Sequence, residues 1–112
     1  MIQIDNNFNI TMTRGDTFAR TLVLKKNNAP YVPQEGDVIR FAMAQVYKDK
    51  PGYELLLEKT IPNDTLLWKI EPSETSTLAY GGYKYDLQIT YADGTVETFA
   101  NKKKLTLTEE VE

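Results

Sequence analysis

Tyr83-Lys84-Tyr85-Asp86-Leu87-Gln88-Ile89-Thr90-Tyr91 alternates apolar and polar side chains without a break. Successive side chains of an extended chain point to opposite sides, so Tyr83, Tyr85, Leu87, Ile89 and Tyr91 share one face and the four polar residues share the other. A helix would scatter these residues around its axis. The stretch predicts a strand with one buried and one wet face.

Asp93-Gly94 follows directly. Gly has no Cβ to clash at positive φ and Asp tolerates the left-handed region, so the pair predicts a two-residue hairpin turn. Thr95 to Phe99 is then expected to fold back, with Val96 beside Tyr91 on the apolar face. That register would put Phe99 on the opposite face from Val96. A bulge near Thr98 is therefore expected, bringing Phe99, Leu105 and Leu107 inward together.

Working outward, turn signals recur about every ten residues, as expected of a sandwich or barrel of short strands. They are Arg14-Gly15-Asp16, Lys26-Asn27-Asn28, Glu35-Gly36-Asp37, Asp49-Lys50-Pro51-Gly52, Pro62-Asn63-Asp64, Gly81-Gly82 and Asp93-Gly94. Between them the same two-residue period predicts inward faces: Phe18, Leu22 and Leu24; Ile39, Phe41 and Met43; Leu55 and Leu57; Leu66, Trp68 and Ile70. Only Pro72 to Leu78 reads as helical, a single turn opened by Pro and bridging two sheets. Gly81-Gly82-Tyr83-Lys84-Tyr85 after that turn resembles the corner before the sixth strand of immunoglobulin-like sandwiches, without their disulfide or their usual tryptophan. The expected fold is all-β, an immunoglobulin-like antiparallel β-sandwich with one short helical turn at about residues 72–78. Residues 1–108 form its single domain and residues 109–112, Glu-Glu-Val-Glu, a loose acidic tail.

Composition agrees with one soluble domain. The 112 residues are 41% apolar and 26% charged, within the range of ordinary globular chains. Thirteen basic and sixteen acidic side chains leave a net charge of −3, too small and too evenly spread to favour nucleic acid or an anionic membrane. Met1-Ile2-Gln3-Ile4-Asp5 has neither the basic start nor the apolar run of a secretory signal, and no stretch is long enough to span a bilayer. The expected location is the cytosol or a particle assembled there.

Catalysis is disfavoured by what the sequence lacks. With no His and no Cys, the commonest general base, the commonest transition-metal ligand and the most reactive nucleophile are all missing. Carboxylate pairs of the glycosidase kind remain conceivable, but acids on outer strand faces ordinarily serve solubility. No catalytic, cofactor-binding or metal residue is assigned; Asp49, Asp64 and Asp93 lie in turns without the alternating spacing of a calcium loop. Arg14-Gly15-Asp16 spells an adhesive tripeptide, yet three residues match by chance too easily, and a turn with Arg and Asp in water is the favoured reading. Of seven tyrosines, Tyr83, Tyr85 and Tyr91 follow the core phase. Tyr31, Tyr47, Tyr53 and Tyr80 fall at turns and strand ends and are the candidate contact residues.

Three stretches, Thr13-Arg14-Gly15-Asp16-Thr17-Phe18, Pro33 to Ala42 and Gly82-Tyr83-Lys84-Tyr85-Asp86-Leu87, resemble short structural proteins of tailed phages and prophages of Gram-positive bacteria. The likeness is to the N-terminal domain of phage baseplate upper proteins, where "RGDTF", "GDVIRF", "GYKYDL" and "ADGTVETF" recur in the same order. It runs from Ile10 to about Leu107 and lies in turns and strand phases rather than catalytic signatures. The resemblance implies a β-sandwich that docks to other virion proteins, with no cofactor and no catalytic residue. This sequence lacks the coiled coil and receptor-binding region of the longer baseplate proteins.

The expected function is a non-enzymatic tail or baseplate-type structural protein of the virion, or of the bacterial host cytoplasm before assembly. It would act on other virion proteins or on itself, through a buried patch or strand addition at an open edge, either Ile2 to Ile4 or the long final strand. The alternative is a carbohydrate-binding module that uses exposed tyrosines on host cell-wall glycan. A small carboxylate hydrolase ranks third, and requires a concave site with two facing acids.

Overall fold

A computed structural model describes residues 2–4, 9–46 and 53–109. The chain forms β1 (Ile2–Ile4), β2 (Ile10–Thr13), β3 (Phe18–Thr21), β4 (Leu24–Lys26), β5 (Ala29–Pro30), β6 (Val38–Val46), β7 (Tyr53–Ile61), β8 (Leu67–Ile70), α1 (Pro72–Thr75), β9 (Gly81–Thr90) and β10 (Val96–Thr108). The fold is all-β and sandwich-like. One layer is a five-stranded sheet in the order β2-β10-β9-β6-β7; the other is made of β1-β4-β5 and the pair β3-β8. Leu22 and Val23 carry β3 into β4, and Leu22 N donates to Leu66 O at 2.8 Å, extending the β3–β8 pairing.

In connectivity, β10-β9-β6-β7 is the G-F-C-C′ order of immunoglobulin-like sandwiches, with β1, β3/β4 and β8 in the places of A, B and E. Among the described residues the strand ladders are antiparallel except one: β2 runs parallel to β10, from Ile10 beside Leu105 to Thr13 beside Thr108. No hairpin joins these two distant segments, so nothing in the local sequence dictates their relative direction.

The core lies between the layers. Ile39, Phe41 and Met43 of β6 and Leu87 and Ile89 of β9 are wholly buried, as the alternation predicts. Trp68 of β8 stands at the centre, its ring 5.0 Å from Phe18, 5.1 Å from Phe41 and 5.2 Å from Tyr85. Such tilted and edge-on aromatic pairs each add about 0.5–1.5 kcal/mol beyond the area they bury. Tyr83 OH donates to Ala79 O at 2.6 Å, tying the start of β9 to the chain four residues upstream. The bond has the form of the tyrosine corner found in immunoglobulin-like sandwiches, where a cysteine follows two residues on, at the place Tyr85 takes here.

Three local expectations change. The β9–β10 turn is not a two-residue turn: Gly94 alone has positive φ, Gly94 N donates to Tyr91 O at 2.8 Å and Tyr91 N to Thr95 O at 2.7 Å. It is a three-residue loop, a type I turn closed by a left-handed Gly. The extra loop residue moves Val96 from Tyr91 to Thr90 and leaves it 51% exposed on the outer face. A bulge does sit between Thr98 and Ala100, where it buries Phe99 and Ala100 side by side. A second irregularity follows at Lys102, whose φ is 52°, and Leu105 and Leu107 return to the core.

Leu55 is the second change. A register shift makes Leu57 face Met43 while Leu55 faces Ala44, so Leu56 is the extra residue and Leu55 turns outward, 56% exposed. The third is α1, which is shorter than expected: it ends at Thr75, and Leu78 N bonds Thr75 O at 2.9 Å in the turn beyond. It bridges β8 in one layer to β9 in the other, with Pro72 in its first turn and Glu74 accepting from Glu71 N at 2.7 Å. Lys59 of β7 clamps this crossing, donating to Glu74 Oε1 at 2.8 Å and Lys69 O at 2.7 Å.

Candidate interaction face

The Arg14-Gly15-Asp16 turn is built into the protein. Arg14 Nη1 donates to Leu78 O at 3.0 Å, Nη2 donates to Tyr80 OH at 2.9 Å, and the guanidinium lies 4.1 Å from the Tyr80 ring centre. Gly15, at φ 84°, turns its amide toward buried Thr75 and donates to Oγ1 at 3.0 Å. Arg14 is thus half-buried rather than in water as the sequence suggests, and only Asp16 is exposed. The tripeptide pins the β2–β3 turn against the α1–β9 connection.

A second cluster holds the other end of the sandwich. The Asp37 carboxylate accepts Tyr31 OH at 2.5 Å and Gln34 N at 2.9 Å on Oδ2, and Ala92 N at 3.1 Å on Oδ1. Burial by itself would push this carboxyl up. The Tyr31, Gln34 and Ala92 donors, with Lys26 nearby, outweigh burial and hold it below its usual value. Burial, and then the bond to Asp37, push the Tyr31 hydroxyl well above the usual range, so Tyr31 stays protonated. Lys26 Nζ lies 4.4 Å from the centre of the Tyr91 ring, which meets Tyr31 edge-on at 6.2 Å.

Two of the four candidate tyrosines, Tyr31 and Tyr80, lie at opposite ends of the sandwich. Tyr31 is half-buried in the Asp37 cluster, and Tyr80 is 42% exposed beneath Arg14. Tyr80 precedes the first residue of β9 and Tyr31 packs on Tyr91 after its last, so about 30 Å of strand separates them. Tyr53 opens β7, and Tyr47 lies outside the described residues.

What the described residues leave uncovered is the outer face of the five-stranded sheet. Ladder partners place its side chains in rows: Val38, Thr90 and Val96; Thr60, Arg40, Gln88 and Thr98; Glu58, Ala42 and Asp86; Leu55, Ala44, Lys84 and Lys104; Gly82 and Thr106. Three adjoining hollows cross these rows. The central one, about 200 Å³, is lined by Ala42, Ala44, Leu55, Lys84, Asp86 and Lys102. The second, about 310 Å³, shares Lys84 and adds Gly82, Lys104 and Thr106. The third, about 150 Å³, shares Ala42 and Asp86 and adds Arg40, Glu58 and Gln88. Together they make one shallow groove with an apolar floor and a lysine-rich end.

Two acids, Glu58 and Asp86, line the third hollow, but both are engaged. Glu58 pairs with Arg40, and Asp86 Oδ1 accepts Lys102 N at 2.6 Å, satisfying the left-handed bulge. Among the described residues no group of three or more Asp, Glu, His or Cys is gathered for a metal ion. Asp64 and Asp93 instead accept backbone amides of their own turns, Thr65 N and Thr95 N, each at 2.9 Å; Asp49 lies outside the described residues.

The expected edges are also located. β1 is an edge of its small sheet, whereas β10 is paired with β2 along Leu105–Thr108 and, among the described residues, has β9 as its ladder partner over residues 96–104, where Lys104 N also donates to Asn9 Oδ1 at 3.1 Å. Sequence reading placed a strand at Leu55 and Leu57 but did not name it as an edge: β7 is a nine-residue strand that ends the five-stranded sheet, paired among the described residues with β6. Sequence reading missed the groove. The available signal was small residues, Ala42, Ala44 and Gly82, at outward positions of central strands, where bulkier β-formers are usual.

No model of a known protein family matches the chain, and no curated protein matches it.

Proposed function

We propose that this protein is a non-enzymatic structural module of a tailed phage or prophage, of tail or baseplate type. It works by protein–protein assembly through the outer face and open edges of its five-stranded sheet. The observation that carries this reading is the outer face itself: a groove of three adjoining hollows across β6, β9 and β10, with Leu55 beside it, that no other element of the chain covers among the described residues. A solvated face of a sheet normally carries long polar side chains throughout; one with a small-residue floor presents a shape for another surface to fill.

The motifs behind the phage resemblance support the same reading from the other side. Arg14-Gly15, Gly36-Asp37 and Tyr83 are taken up in holding turns and corners together. Such residues make a rigid scaffold and leave faces and edges to do the docking. The test is to mix the purified chain with the products of its neighbouring structural genes, and to follow complexes by crosslinking and size exclusion. Co-elution with at least one of them is expected; a chain that joins none would count against the reading.

A further inference from the structure

The groove asks for a particular ligand chemistry. Ala and Gly are poor strand residues, so Ala42, Ala44 and Gly82 on central strands weaken the sheet locally, and what they provide is room. The floor of that room is apolar. Around the first two hollows its rim carries Lys84, Lys102 and Lys104 with Asp86, which already holds the Lys102 amide, while Glu58 of the third hollow is paired with Arg40. A matching occupant is an extended segment with several carboxylates around a small apolar side chain.

The sequence offers residues of that composition. Thr108 ends β10, Glu109 is exposed, and the sequence continues Glu109-Glu110-Val111-Glu112. We propose that residues 109–112 of a second copy lie in this groove, with Val111 over Ala42 and Ala44 and the glutamates against the lysines. This specifies one contact within the assembly reading and rests on it. Because groove and tail are different surfaces, the contact is heterologous, and copies join head to tail into a ring or an open array.

Sedimentation equilibrium of the full chain over a range of concentrations tests this, with circular dichroism checking that each variant keeps its β fold. The wild type is expected to associate, less so at high salt. The double variant Lys84→Glu/Lys104→Glu and the triple variant Glu109→Lys/Glu110→Lys/Glu112→Lys should each associate roughly tenfold more weakly. An equimolar mixture of the two should recover wild-type association, because each reversed tail then meets a reversed groove. A wild type that stays monomeric overturns the proposal, as does association indifferent to both variants or not recovered on mixing. A monomer here leaves the mixing test with neighbouring gene products standing by itself.

Discussion

The Asp37 carboxylate reaches 55 residues along the chain to hold the Ala92 amide at 3.1 Å. This bond fastens the β9–β10 turn to the β5–β6 connection, and Asn63 adds a second strap by donating to Asp37 O at 2.6 Å. Asp37→Ala would strand three donors around a buried site. A loss of about 2–4 kcal/mol in urea unfolding is expected, with faster hydrogen exchange at Ala92.

The same residue sets part of the acid limit. Asp37 titrates lower in the folded protein than in the unfolded chain. Its contribution is therefore complete above the ordinary carboxylate range and disappears as pH falls through its folded value. Glu74 behaves alike: burial would raise it, but Lys59 and the Glu71 amide outweigh that and lower it. Stability measured between about pH 6 and pH 2 should fall less steeply in Asp37→Asn than in wild type, while retaining the part due to Glu74.

Gly36 makes room for that bond. Its φ is +93°, and a Cβ placed there would come within 2.8 Å of Ala92 Cβ. Gly36→Ala should cost about 1–3 kcal/mol. Adding Ala92→Gly should return part of this by removing the clash while the backbone strain stays. Full additivity of the two losses in a double-mutant cycle would contradict the contact.

Arg14→Lys should destabilise nearly as much as Arg14→Ala, by about 1–2 kcal/mol, because an ammonium cannot both bond two acceptors in this fork and stack on Tyr80. Thr75→Val, which leaves the Gly15 amide without its acceptor, should cost a similar amount in the same denaturation assay.

Trp68 is the sole tryptophan and fully buried, so its fluorescence reports the whole core. Emission should be blue-shifted in the native state and shift red in one transition that coincides with loss of β signal in circular dichroism. Trp68→Phe should remain folded but be weakened, and Trp68→Ala should lose about 3–5 kcal/mol.

Much of this architecture is legible in the sequence because a buried strand face must repeat every second residue. Ile39-Phe41-Met43 and Tyr83 to Ile89 obey that rule, and they are the innermost strands of the sheet. The misreadings come where one residue is added. An extra loop residue at Asp93-Gly94 moves Val96 outward, and the extra Leu56 in β7 moves Leu55 outward. Each insertion flips the phase of the neighbouring strand residues, and apolar composition alone does not reveal it. The groove is harder still: Ala42 and Ala44 say nothing individually, and they form a floor only when β6 lies between β7 and β9. Asp37 reads as one more turn acid until Tyr31, Gln34 and Ala92 converge on it.

The measurement that bears most directly on the proposed working face is lysine labelling of the chain, free and within the complex that the proposed function expects it to form. Lys84 and Lys104 of the outer face should lose reactivity on assembly, while exposed Lys25 of the opposite layer keeps it. Protection of Lys25 with Lys84 and Lys104 still reactive, or no protection of any of the three, would contradict a sandwich that acts through this sheet.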